Sequence, residues 1–365
     1  MLQLGDLQVA RMRSYSQLLT DAQRRSDLAG LASHLIAIQA QDRIAAALTV
    51  RPRTDGLTRA DIDASLRSRG GLVLIWSLRG TLHYHDASDV RSILALVGPN
   101  FGKFTARDHQ LGIDRHVGRA AEQALRRALE TQGPLTRAQV RRVLEPVGVN
   151  PSGQAAVHVL HRAAMNGLIC IVPQASGEER FTLLDDWVGP AGLDSATPAE
   201  TAEQLLRRFV RAFGPVSIPD FRSWSGLPAG AVRQAWVAVA EELTEIGTGQ
   251  GQRYVLSERL DELLAAAETP APVRLVGGFD QLVLAYKDRR PQLALAQTKL
   301  VNAGGGLVSA LLVDDGFVTG LWSRRHQRGT DQIEVTAFDG YPVPDPAAIE
   351  SEIIDIRRFL GGALT

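Results

Sequence analysis

A short phrase recurs along the chain at a spacing of roughly 80 residues, and that spacing limits the fold more than any other feature. Leu57-Thr58-Arg59-Ala60-Asp61-Ile62 returns 78 positions later as Leu135-Thr136-Arg137-Ala138-Gln139-Val140. The Gly133-Pro134 before the second copy returns 81 positions further on as Gly214-Pro215, leading into Val216-Ser217-Ile218-Pro219-Asp220-Phe221. In each copy a hydroxyl residue stands three positions before an acid or a glutamine: Thr58 and Asp61, Thr136 and Gln139, Ser217 and Asp220. Such a hydroxyl caps a helix start, and with Gln139 it completes a capping box. Three helices of one kind are predicted to begin at these points.

The residues after each start share a common grammar. In the middle copy a helix over 137–144 leads to a turn at 148–153. A second helix carries Ala156, Val159, Leu160, Ala163 and Ala164 at helical spacing and stops at Asn166-Gly167. Residues 168–172 and 180–184 then read as two strands around a polar turn. The third copy repeats this with helices over 221–224 and 231–243 and a hairpin turned at 247–252. The first is looser: a helix near 61–68, then candidate strands over 72–79 and 80–85. Helix, turn, helix and two-stranded ribbon is the winged-helix plan. Plain stacking of helical modules would lack the ribbons, which add little core and usually serve as surface contacts. Winged helices meet nucleic acid or protein, so the plan leaves the partner open.

Past Leu264 the pattern changes. Pro270, Pro272, Gly277 and Gly278 break the helical register, and 282–286 is predicted to begin a strand-rich region. Strands over 307–313, 317–322 and 332–338, with tight turns at Asp314-Asp315-Gly316 and Asp339-Gly340, describe an antiparallel meander forming a small sheet or barrel. Residues 345–360 have the spacing of a closing amphipathic helix. The expected fold class is α+β, divided as 1–110, 111–192 and 193–268 for the three modules and 269–365 for the β-barrel with its helix.

The balance of 40 basic and 40 acidic side chains taken whole disfavours a polyanionic partner, yet counting by halves changes that. Residues 1–170 hold 22 basic and 14 acidic groups, a net of +8, and the remainder 18 and 26, a net of −8. Of the 40 cations 37 are arginine, leaving Lys103, Lys287 and Lys299. A GC-rich gene produces this bias, and so does a need for planar forks that fit phosphates and base edges. The lone Cys170 rules out a disulfide framework and a cysteine zinc site, and points to reducing cytosol. No run approaches the length of a membrane span, and the start MLQLGDLQVARMRS suggests neither signal peptide nor anchor.

No HExxH, P-loop, GxSxG or CxxC occurs, and Gly304-Gly305-Gly306 lacks the setting of a dinucleotide loop. His83 and His85 would share a face of a strand, but no third ligand is evident, so neither metal nor cofactor is expected. His158 and His161, one turn apart on a helix, are expected to face solvent or phosphate. The segment singled out is Leu35-Ile36-Ala37-Ile38-Gln39-Ala40-Gln41-Asp42-Arg43. On a continuous helix Gln39 and Gln41 would point about 200° apart, because residues two apart do not face each other. For both amides to serve one site the helix must loosen or end there. By itself Q-x-Q is a weak signal that reads first as a polar helix end.

Three blocks together resemble the AlkZ/YcaQ family of winged-helix DNA glycosylases: Ile38-Gln39-Ala40-Gln41-Asp42, Trp76-Ser77-Leu78-Arg79-Gly80-Thr81-Leu82-His83, and Gly278-Phe279-Asp280-Gln281 continuing to Arg289. They stand in the family's order across essentially the whole chain. The chain is most similar to the AlkZ branch, known for azinomycin self-resistance, which has glutamine, an apolar residue and glutamine; the YcaQ branch has aspartate as third member. The resemblance implies three tandem winged helices and a small β-barrel around a DNA-binding channel. It also implies excision of N7-alkylated purines and unhooking of interstrand crosslinks, with Gln39 and Gln41 as the catalytic pair. Arg79, Thr81 and His83 fall in its second block and are expected at the DNA.

An N7-alkylated purine is cationic, so it departs as a neutral molecule, and the remaining task is to place water and orient dipoles. Gln39 and Gln41 are expected to hold the water and the deoxyribose. Asp42 is the nearest candidate for a charge stabiliser or base, or else a structural partner of Arg43. A hairpin tip carrying Arg324, Arg325, His326, Gln327 and Arg328 is the best additional candidate to touch DNA, and a solvated turn reads the same. The expected partner is double-stranded DNA with alkylated or crosslinked purines, met by a cytoplasmic monomer without a membrane. The alternative is a non-catalytic winged-helix DNA-binding protein, either a regulator or a damage-sequestering resistance protein.

Overall fold

The three helix starts fall where the hydroxyl motif places them in the computed structural model, which describes residues 2–174, 177–190, 196–302, 304–327 and 330–361. Thr136 Oγ1 accepts from Gln139 N at 3.2 Å while Gln139 Oε1 accepts from Thr136 N at 2.8 Å. Asp220 accepts from Ser217 N at 2.8 Å, and Asp61 from Thr58 N at 2.7 Å. Each such cap is worth about 1 kcal/mol. They fix where helices begin without deciding what the helices pack on.

The chain divides into two compact units, Met1–Ile62 with Ala202–Thr365, and Asp63–Thr201. In chain order the first opens with β1 (Leu2–Leu4), α1 (Asp6–Ser16), α2 (Leu28–Leu35), β2 (Ile38–Gln39), α3 (Arg43–Val50) and the start of α4 (Arg59–Leu66). The second holds β3 (Leu72–Trp76), β4 (Leu82–Asp86), α5 (Val90–Phe101), α6 (Ala106–Gln110), α7 (Arg115–Gln132), β5 (Leu135–Thr136), α8 (Arg137–Leu144), α9 (Ala155–Met165), β6 (Ile169–Pro173), β7 (Glu179–Leu183) and α10 (Leu184–Val188). Then come α11 (Pro198–Phe213), α12 (Ile218–Ser225), α13 (Ala229–Val239), β8 (Leu243–Thr248), β9 (Gly251–Leu256), α14 (Leu260–Glu268), β10 (Arg274–Val276), α15 (Gln281–Leu284), α16 (Thr298–Val301), β11 (Leu311–Asp314), β12 (Phe317–Gln327), β13 (Thr330–Ala337) and α17 (Pro346–Leu360). The charge halves of the sequence do not survive as separate bodies. The first unit carries 25 basic against 26 acidic side chains and the second 15 against 14.

Within the second unit the strands run β4-β3-β6-β7-β5. The ribbons of the first two repeats are therefore joined, with Leu74 opposite Ile171, and β3 and β6 are almost wholly buried. They build core, against the expectation of surface wings, because each edge strand satisfies the other's backbone groups. In the first unit β1 pairs in parallel with β8, which forms a hairpin with β9.

The C-terminal meander is an antiparallel sheet of order β10-β11-β12-β13. Among the described residues its ends do not pair, so the expected barrel is not closed. The β11–β12 turn has Asp315 at φ 47° and Gly316 at φ 82°, the two left-handed positions a tight hairpin needs. Residues 281–284 are helical rather than the expected strand, since Asp280 accepts from Leu282 N at 2.8 Å and starts a turn. A short apolar run such as Leu282-Val283-Leu284 carries no period that could have told the two apart. No described helix is long and apolar enough to cross a membrane.

Candidate active site

Helix α2 ends abruptly at Leu35. Ile36 lies at φ 66°, ψ −48°, and Ala37 N donates to Leu35 O at 2.7 Å, closing a three-residue γ-turn. A β-branched residue there costs about 1–3 kcal/mol. Ile36 is wholly buried, and sinking such a side chain offsets that by about 1.5–3 kcal/mol. The turn replaces the helical period with the extended one, in which residues two apart share a face. Gln39, on β2, now donates from Nε2 to Gln41 Oε1 at 2.6 Å. Gln39 is buried and Gln41 is exposed. The requirement that the helix end before both amides can meet is fulfilled.

Helix α3 starts at once. Asp42 Oδ1 accepts from Ile44 N at 2.8 Å and Ala45 N at 2.9 Å, so its carboxylate caps the helix, while the Arg43 guanidinium turns back onto the Ala40 carbonyl. The Asp42 carboxylate is engaged at the start of α3, not by Arg43 as the structural reading had it.

The Gly278 to Arg289 block holds this segment in place. Gln281, fully buried, donates to the Ala37 carbonyl at 2.8 Å and accepts from Trp224 Nε1 at 3.3 Å. Asp280 takes both terminal nitrogens of Arg53 at 2.8 and 2.7 Å, and Arg53 also donates to Gln17 O and Thr49 O at 2.9 and 2.7 Å. Gly277 lets α3 come close, since a Cβ there would stand 2.6 Å from Ala45 O, and Gly278 lets the Val308 carbonyl approach, since a Cβ there would stand 2.7 Å from it. Tyr286 donates to Phe213 O at 2.8 Å beneath the Arg13 guanidinium, and Lys287 N donates to Asp220 at 2.7 Å. The block is thus a polar framework in an otherwise apolar interior.

The remaining expected residues fare differently. His83, expected at the DNA, is instead fully buried, with Nδ1 3.0 Å from both Ser77 Oγ and Thr81 O, and burial holds its pKa well below the usual value. Arg79, at φ 56°, is mostly enclosed, and burial lowers its pKa to about 10. Thr81 Oγ1 donates to Leu78 O at 3.1 Å. His158 sits 3.1 Å from Asp108, and His161 packs edge-on against Trp76, so neither simply faces solvent. Arg324, Arg325 and His326 lie in β12 and not at a hairpin tip, because the strand runs on through Gln327. Asp331 holds Arg324 at 2.8 Å and His326 at 2.7 Å, while Arg325 is exposed. Arg328 lies outside the described residues. Among those described, no group of three His, Cys, Asp or Glu is placed to hold a metal.

His34, on α2 just before the γ-turn, donates to Ser16 O at 2.7 Å, and burial lowers its pKa to about 4 in spite of that bond. The unfolded value is about 6.5, so the folded chain prefers neutral His34. Its contribution is complete above about pH 6.5 and lost as pH falls toward 4. Urea midpoints measured at pH 7 and pH 5 should therefore drop further for the parent than for His34→Gln.

A family model described as DNA glycosylase AlkZ-like matches residues 32–359. The chain belongs to the AlkZ-like DNA glycosylase family. A curated relative from Streptomyces sahachiroi, the "Interstrand DNA cross-link repair glycosylase", is 28% identical over 349 residues, covering 92% of this chain and 91% of the relative. The solved structure of Streptomyces sahachiroi DNA glycosylase AlkZ superposes with a TM-score of 0.83 at 25% identity, over 99% of this chain and 98% of that one. This AlkZ-like glycosylase thus has the mixed α+β fold of that enzyme. Sequence reasoning found its amide pair but missed Arg53 and Gln281 as its supports; only Gly277-Gly278 hinted that something packs closely there.

Proposed function

We propose that this glycosylase hydrolyses the N-glycosidic bond of N7-alkylated purines, crosslinked ones included, with Gln39 and Gln41 as its catalytic pair. The observation that carries this is the Gln39 to Gln41 hydrogen bond on an extended segment, two coupled but uncharged amides at one place. A carboxamide cannot take up a proton at neutral pH, yet its oxygen has two lone pairs and its nitrogen two hydrogens. Gln41 Oε1, already polarised by Gln39, keeps a lone pair for a water molecule or a sugar hydrogen. The cationic base leaves as a neutral molecule, so water is needed only on the face of the sugar opposite the departing base, with dipoles turned toward the oxocarbenium charge.

Selectivity has the same electrostatic origin. A normal guanine leaves as an anion, which two amides do little to stabilise, so discrimination comes from the lesion more than from a tight pocket. Base flipping costs a few kcal/mol and is obstructed when the base is tied to the opposite strand. A site that works from the groove without flipping the base suits such substrates, and Arg325, exposed on β12, is a cation offered to a phosphate in this reading. The setting is DNA repair or self-resistance to an alkylating natural product.

Incubation with duplex DNA containing 7-methylguanine is the test. Release of free base and formation of alkali-labile sites are expected, and a nitrogen-mustard crosslinked duplex should be unhooked. Tight binding without base release would favour a damage-sequestering protein.

A further inference from the structure

The face between α12 and α13 carries a feature that excision does not use. The two helices bound a cavity of about 610 Å³ whose lining includes Ile218, Arg222, Arg233, Trp236, Val237 and Lys287. Ile218 and Arg222 stand one turn apart on α12, as Arg233 and Val237 do on α13, so each helix offers an apolar side chain and a cation on one strip. Val237 is 72% exposed and Ile218 39%. The charged ends of Arg222, Arg233 and Lys287 are exposed and make no ion pair among the described residues. Among those residues no carboxylate lines the groove. Beyond Ser223 and Lys287 it continues into a second hollow lined by Arg289 and Arg290, where the one acid, Asp288, is already held by Arg253 at 3.1 Å and Arg290 at 2.5 Å.

An apolar floor with uncompensated cations on both rims is complementary to one chemistry. We propose that this groove docks an acidic, amphipathic peptide segment of a partner protein, with apolar side chains seated against Trp236 and Val237 and carboxylates one turn away meeting Arg222, Arg233 and Lys287. Duplex DNA fits less well, since its interfaces are polar and wet and would leave the apolar floor unfilled.

The test is a polarisation titration of the full chain against a labelled synthetic helix carrying Leu and Glu at one-turn spacing, with a Glu-to-Gln version as control. Saturable binding is expected, weakened about tenfold or more by Val237→Asp, by Arg233→Glu and in the control peptide. Both side chains are exposed, so base release from an alkylated duplex should stay at the parent rate. Three results would overturn the proposal: no saturable binding, equal binding by parent and variants, or displacement by unmodified duplex whose own affinity falls in the same variants. A homodimer that dissolves on Val237→Asp would also overturn it, in favour of a second copy of the chain.

Discussion

Gln39→Ala is expected to slow single-turnover release of 7-methylguanine by roughly 10²-fold, about 2.7 kcal/mol of transition-state stabilisation. The buried amide it removes donates to Gln41 at 2.6 Å, and without it the exposed amide is free to rotate away from the water it would hold. Gln41→Ala should slow the reaction to a similar degree, and the double variant should lose less than the product of the two, because the pair acts as one unit. Affinity for the alkylated duplex should change little in all three, since neither side chain is charged and phosphate contacts dominate that term. Quench-flow rates beside equilibrium binding separate the two effects. Parent-like excision by both single variants would remove the amide pair from the chemistry.

Asp280→Ala should destabilise the fold by about 3–5 kcal/mol, because it leaves the Arg53 guanidinium buried without a counter-charge. Both side chains are fully buried and joined by two bonds of 2.8 and 2.7 Å, and the same carboxylate starts α15. Urea denaturation of parent and variant measures this, and a loss below about 1 kcal/mol would show that water reaches Arg53. Asp280 neighbours Gln281, whose amide holds Ala37, so whatever variant remains folded should also excise more slowly. Restoring the charge with Asp280→Glu should recover part of the stability.

Features encoded within a few residues were legible. Thr136 with Gln139, Ser217 with Asp220, and Asp315-Gly316 each determine their own geometry, because donor and acceptor or the required positive φ lie within one turn of chain. The closing helix over Pro346–Leu360 was equally plain from its apolar spacing. The three blocks that carry the family resemblance could be read in order, but their division of labour could not. In the Asp280 block the partners are Arg53, 227 positions away, and Ala37, 244 positions away, and no local pattern announces either.

The sequence by itself determined where the three repeat helices start, where the Asp315-Gly316 hairpin turns and that two amides lie two residues apart. The tertiary structure decided that those amides face one another, because burying Ile36 and holding the Ala37 carbonyl on Gln281 stabilise a γ-turn that the isolated chain would avoid. It also decided that His83 is interior, that Arg324 is neutralised by Asp331, and that the basic and acidic halves mix. Capping and turn formation involve atoms a few bonds apart and are written locally, whereas burial and ion pairing depend on which distant segments meet.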